Sequence, residues 1–154
     1  MIMLCKHCFD ILGYDNKFTN RSINQECDHC KKGLNGTDVI FVDDLMVPLL
    51  VKLNKELGIK TYYSCIGHID RGIARPTYLV LEDTEKVRYL FDALIKLKKS
   101  YCIIKKDGTD KLRIDFKENR YKDVYGHTKG KVRIIKFVCE FIDNLVNSDS
   151  YPFK

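Results

Sequence analysis

Cys5-Lys6-His7-Cys8 and Cys27-Asp28-His29-Cys30 decide how the first part of the chain is organised. The two C-x2-C pairs, separated by eighteen residues, have the spacing of a four-cysteine zinc site, in which each pair forms a tight knuckle that offers two thiolates to one tetrahedral ion. Four thiolates close the coordination shell, so Cys5, Cys8, Cys27 and Cys30 read as ligands of a structural Zn2+ with no open position for water or substrate. His7 and His29, inside the knuckles, are spare. Phe9, Ile11, Leu12, Tyr14, Phe18 and Ile23 suffice to cover a short hairpin but not to build an independent core. A zinc ribbon over residues 1–36 follows, closed by the Gly- and Asn-containing stretch around Lys31 to Thr37, and residues 37–154 form the main domain.

Beyond that connector the apolar pattern switches between helical and strand periods. Asp43 or Asp44 stands where it can cap a helix carrying Leu45, Leu49, Leu50, Leu53 and Leu57, with Pro48 limiting how early it starts and Gly58 at its C-terminal end. Lys60 to Cys65 and Thr77 to Leu81 are rich in aromatic and β-branched residues and flank a Gly-containing loop. A second cycle begins at Thr84. Val87, Leu90, Phe91, Leu94 and Leu97 make an apolar helical stripe, followed by strands Tyr101 to Lys105 and Leu112 to Phe116 around Asp107-Gly108. In the last strand Leu112, Ile114 and Phe116 alternate with Arg113 and Asp115, so one sheet face meets helices and the other meets solvent or a ligand. A final helix is expected from near Gly130, with Val132, Ile135, Val138, Cys139, Ile142 and Val146 as its stripe. The fold class is therefore α+β: a zinc ribbon, then a repeated helix-strand-strand unit forming a largely antiparallel four-stranded sheet with helices on one face. Strand order does not follow from such alternation.

Charge and composition bound the function. The chain has 154 residues, 27 of them Lys or Arg and 21 Asp or Glu, for a formal net charge of +6, and 45% are hydrophobic. That balance suits a folded domain, and no apolar run of about 18 residues is present to cross a bilayer. Seven cysteines without a secretory leader favour metal binding over a disulfide framework and a cytoplasmic location. The charge is uneven: residues 1–43 hold 5 bases and 6 acids, whereas residues 96–136 hold 14 bases and 5 acids. That basic stretch also carries Tyr101, Tyr121 and Tyr125, and mixed cations and aromatics suit phosphate contacts and base stacking. The expected partner is nucleic acid or a phosphorylated nucleotide, with no membrane.

Two loops carry the candidate site residues. Tyr63-Ser64-Cys65-Ile66-Gly67-His68 ends a strand and is followed by Arg71 and Arg75. Cys65 and His68 are candidate catalytic residues if the ring reaches the thiol, and Ser64 and Gly67 are candidate ligand contacts. A strand end with a buried Cys65 is the plain alternative. The second loop, Tyr125 to Arg133, brings His127, Thr128, Lys129, Lys131 and Arg133 to the start of the last helix, where positive charge is unfavourable unless an anion offsets it. His68 and His127 are expected to face one cleft.

Val42-Asp43-Asp44, Pro48-Leu49-Leu50, Leu53-Asn54 and Tyr62-Tyr63-Ser64-Cys65-Ile66-Gly67-His68-Ile69 resemble the opening of the wybutosine-pathway tRNA methyltransferase fold. They are also similar to small proteins of bacteria and their phages that carry a Ser-Cys-x-Gly-His loop, some behind a zinc ribbon. The resemblance covers about residues 42–82. It implies the fold and marks Ser64, Cys65, Gly67 and His68 as site residues. The methyltransferases act on a modified guanosine with S-adenosylmethionine through a Ser-Cys-Ser-Gly-Arg loop; Ile66 and His68 depart from it, and that reaction is not carried over. Three classes follow: a zinc-containing binding protein, phage-type and acting by sequestration or inhibition; a transferase or hydrolase for nucleotides or RNA; and a protein-protein adaptor docking through the ribbon.

Overall fold

The computed structural model describes residues 2–14, 26–35, 38–67, 69–70, 73–97, 102–116 and 124–153. Strands β1 (Ile2–Cys5), β2 (Ile11–Tyr14) and β3 (Val39–Val42) form an antiparallel sheet in the order β2-β1-β3. β1 and β2 flank the first knuckle, so the hairpin delivers Cys5 and Cys8 from its closed end. β3 comes from beyond residue 36 and pairs with β1 along its length, Ile2 opposite Val42 and Cys5 opposite Val39. Because side chains alternate along a strand, β1 serves two interiors. Cys5 is buried in the small cluster with Cys27 and Leu34, while Ile2 and Leu4, with Val42 of β3, are buried in the main core.

The first helix, α1, is composite: a 3-10 turn (Asp44–Met46), an α-helical run (Val47–Val51) and a π-type turn (Lys52–Glu56). Pro48 lies in the first turn of the α-helical run, where its missing N–H leaves no bond unmade. The chain leaves the helix through Gly58, whose φ of 65° an L side chain rarely adopts. Asn54, in the wide turn, fastens α1 to the next strand: its Nδ2 donates to Leu50 O and to Thr61 Oγ1 at 2.8 and 2.9 Å, and Thr61 N donates to its Oδ1 at 3.1 Å.

The remaining elements are β4 (Thr61–Cys65), the short hairpin β5 (Ile69–Asp70) and β6 (Ile73–Ala74), β7 (Thr77–Glu82), α2 (Glu85–Leu97), β8 (Cys102–Asp107), β9 (Lys111–Phe116) and α3 (Val124–Val146). The Thr84 hydroxyl caps α2 by accepting Val87 N–H at 3.3 Å. Gly108, with φ of 75°, turns β8 into β9. The sheet order is β4-β7-β9-β8, antiparallel throughout, so the second strand of each repeat meets its counterpart at the centre.

The alternation in β9 is the alternation of the sheet. Leu112, Ile114 and Phe116 are buried, and Ile114 lies opposite both Leu79 and Ile104. Leu49 and Leu53 of α1, Leu90, Phe91 and Leu94 of α2, and Ile135, Val138 and Ile142 of α3 complete that core, with the Phe91 and Phe116 rings 6.4 Å apart. The helices therefore cover one face. After α3 the chain folds back so that Tyr151 and Phe153 pack on Tyr89, with ring centroids 5.9 and 5.7 Å away.

One expectation needs correction. α3 begins at Val124, not near Gly130. Gly126 and Gly130 each disfavour helix by about 1 kcal/mol relative to alanine; here Gly130 is buried, and tertiary packing overrides propensity.

Candidate functional site

The candidate metal centre is built from two knuckles with the same hydrogen bonding. In the first, Phe9 N donates to Cys5 O at 2.8 Å and Cys5 N to Asp10 O at 2.9 Å; in the second, Lys31 N donates to Cys27 O and Cys27 N to Lys32 O, both at 2.8 Å. The residue after each second cysteine must be left-handed: φ is 59° at Phe9 and 61° at Lys31. The four sulfurs lie within 4.8 Å of one another, with Cys5 to Cys30 at 3.8 Å and Cys8 to Cys27 at 3.7 Å. A disulfide has sulfurs about 2 Å apart, whereas a tetrahedron of Zn–S bonds near 2.3 Å has edges of about 3.8 Å. The group is thus positioned to hold a metal ion.

Burial pushes the Cys5 and Cys8 thiols up, while the backbone N–H of Cys30 pulls Cys27 down to about 7. A bound ion must displace the protons, so its hold weakens as pH falls. The two histidines face carboxylates: His7 Nε2 is 3.6 Å from Asp38 Oδ1, and His29 Nε2 is 2.9 Å from Asp10 Oδ2. Asp10 Oδ1 is also 3.5 Å from Lys55 Nζ of α1, which ties the first knuckle to the main domain.

The face of the four-stranded sheet away from the helices is lined by cations on aromatic rings. Arg113 lies opposite Val80 and Lys105, and Lys111 opposite Glu82. The Arg113 guanidinium is 4.0 Å from the Tyr78 ring centroid, and its Nε donates to Asp115 Oδ1 at 2.8 Å. Lys105 Nζ is 3.3 Å from Asp115 Oδ2. Lys60 and Lys111 place their ammonium groups 4.7 and 4.6 Å from the Tyr62 centroid. Beside them Tyr63 is 61% exposed. Positive charge over π faces is favourable.

The turn after β4 is packed from below. Ile66 N donates to Asp43 Oδ2 at 2.9 Å, Gly67 N to Cys65 Sγ at 3.3 Å, and Thr77 Oγ1 to Ile66 O at 2.7 Å. Asp43 thus spends its carboxylate on this turn and makes no side-chain cap to α1. Lys131 is only 2% exposed; its Nζ donates to Arg75 O and Thr77 Oγ1, both at 3.2 Å. Gly67 has φ of 77°, and a Cβ there would sit 2.3 Å from Arg75 O and 2.8 Å from Lys131 Nζ. No other residue fits.

The structure therefore brings together Cys65, Gly67, the Arg75 carbonyl and Lys131, drawing on both candidate loops. Ser64 is half-buried beside them, while Lys129 and Arg133 are exposed on α3. Since α3 is already under way at Val124, these three cations do not stand at its first turn, and the helix-terminus argument for an anion does not apply to them. His68 and Arg71 lie outside the described residues, as do the side chains of His127 and Thr128. Much of the basic stretch, including Tyr101, Lys117, Arg120 and Tyr121, lies outside as well. Asp43 and the buried role of Lys131 escaped sequence reasoning. Lys131 did leave a signal, falling in step with Ile135, Val138 and Ile142 on the apolar stripe.

Among the described residues no helix is long and apolar enough to cross a membrane. Comparison with known proteins returns no matching family, curated protein or solved structure.

Proposed function

We propose that the chain is a zinc-containing binding protein for nucleic acid or a phosphorylated nucleotide, with the open face of the four-stranded sheet as its contact surface. The observation that carries this is the cation-aromatic face: Lys60 and Lys111 at Tyr62, Arg113 on Tyr78, and the exposed Tyr63. An antiparallel sheet with helices behind it and stacked aromatics in front is a recurring way to hold unstacked bases, and neighbouring cations take the phosphates. Zinc suits a closed set of four thiolates, and its task here is folding.

The test is fluorescence anisotropy with a labelled single-stranded oligonucleotide and the zinc-loaded chain. Affinity is expected to fall steeply between about 50 and about 200 mM salt. Lys111→Glu with Arg113→Glu should weaken binding at least about tenfold and flatten the salt slope, whereas charge reversal at Lys136, exposed on α3, should leave both nearly unchanged. Absence of binding at low salt, or equal loss from the Lys136 variant, would sink the proposal.

A further inference from the structure

Between the ribbon sheet and the main domain lies a cavity of about 170 Å3. Leu4, Phe9 and Ile40 wall it from the ribbon side, and four consecutive residues of the end strand β4, Thr61 to Ser64, wall it from the other. A dry cavity of roughly 150 Å3 suffices for a benzene ring, so the space is the size of one planar ring. Its walls are not uniformly apolar. Asn54 and Thr61 satisfy each other and hold one side in place, and the polar Ser64 is also part of the lining.

Tyr62 belongs to two surfaces. It lines the cavity, and it carries the Lys60 and Lys111 ammonium groups over its ring. A ligand with an aromatic part for the cavity and an anionic part for those lysines matches both. A hydrocarbon would leave Ser64 and the lysines unanswered; a heteroaromatic ring joined to a phosphate answers each.

We infer that this cavity takes the heteroaromatic ring of a nucleotide, with its phosphate held beside Tyr62 by Lys60 and Lys111. The inference rests on the nucleotide reading above and deepens it, since it moves one base off the sheet face and into a pocket. It also gives the metal a bearing on binding. Phe9 follows Cys8 directly and owes its left-handed backbone to the first knuckle, so one wall of the cavity is set by the cysteine cluster. Lys31 meets the same backbone demand in the second knuckle with an exposed side chain. The first knuckle instead spends a bulky ring there.

The experiment uses the full zinc-loaded chain with methyl groups labelled for NMR, titrated with the common nucleoside 5′-monophosphates and, separately, a single-stranded oligonucleotide. Contacts between base protons and the methyls of Leu4 and Ile40 are expected, together with at least about tenfold weaker mononucleotide binding in Ile40→Trp, which fills the space. Ser64→Val, a smaller change, serves if the tryptophan variant does not fold. A free nucleotide as ligand would saturate the site alone; a splayed base of a strand would saturate it only in the oligonucleotide, and either supports the inference. Oligonucleotide binding that is unchanged by Ile40→Trp and makes no methyl contacts would overturn the cavity assignment while leaving the sheet-face proposal standing. Methyl shifts driven by an extended peptide but not by nucleotides would overturn it in favour of strand addition along β4. No binding of either probe would overturn both.

Discussion

The three-stranded ribbon sheet and the four-stranded main sheet are built from the same kind of short antiparallel strand and stabilised by different means. The main sheet is covered by three helices and closes over Leu79, Leu81, Ile114, Phe91 and their neighbours. Among the described residues the ribbon packs only Leu34 and Leu12 with its four cysteines, so an ion held by those cysteines would add folding energy that this burial does not supply. Yet the two regions share a strand. β1 presents Cys5 to the cysteine cluster and Leu4 to the main core, which makes the ribbon part of the larger interior rather than a bead on a tether.

The harshest way to test that contrast is to remove the metal. Chelation, or Cys27→Ser, should cost on the order of 10 kcal/mol of metal-coupled folding energy, read by hydrogen exchange as lost protection over residues 2–14 and 26–42. Because Ile2, Leu4 and Val42 leave the main core with it, the melting of β7 and β9 should also move down. Unchanged melting there would show the regions to be independent. Phe91→Ala breaks the other side, at about 3–5 kcal/mol, with one metal per chain retained in native mass spectrometry; metal loss in that variant would show that the ribbon needs the main core to fold.

Gly67→Ala sharpens the comparison at the turn after β4. The new Cβ would press on Arg75 O and Lys131 Nζ in a backbone conformation of φ 77°, for an expected cost of about 1–3 kcal/mol in urea unfolding. A neutral result would mean that the turn is not held by this packing. The smallest effect is one of pH. Burial raises the Cys102 and Cys139 thiols from 9.0 to about 11, so the fold favours their protonated forms. That contribution is complete below the unfolded value and is lost as pH rises towards the folded one. Relative to a Cys102→Val, Cys139→Val variant, stability should fall above about pH 9 by on the order of 1 kcal/mol per thiol once solvent screening is allowed for. Parallel pH profiles would remove the effect.

The parts of the molecule that repeat locally were legible in the chain. The paired C-x2-C spacing announces the knuckles, the two-residue alternation in β9 announces a one-sided sheet, and the stripe in α2 announces its buried face. What escaped depends on partners far apart in sequence. The pairing of β3 with β1 joins residues on either side of the knuckles, and the sheet order joins the two repeats; neither has a local signature. The same holds for the site. The cysteines were legible because ligand chemistry imposes spacing, whereas Asp43 reaches Ile66 and Lys131 reaches Arg75 only after α1, β4 and α3 are in place. The early start of α3 was hidden because two glycines argue against helix wherever packing does not overrule them.

The outermost strand on the far side of the sheet has a last consequence. β8 ends in Lys105, Lys106 and Asp107, all exposed, and nothing described pairs with its outer edge. An open strand edge is a template on which further copies can add. Two lysines there mean that a second copy must bring like charge against like charge and bury both. The opposite end strand is interrupted by a register shift between Thr61 and Tyr63. At high concentration the protein should therefore resist growing edge to edge into fibres.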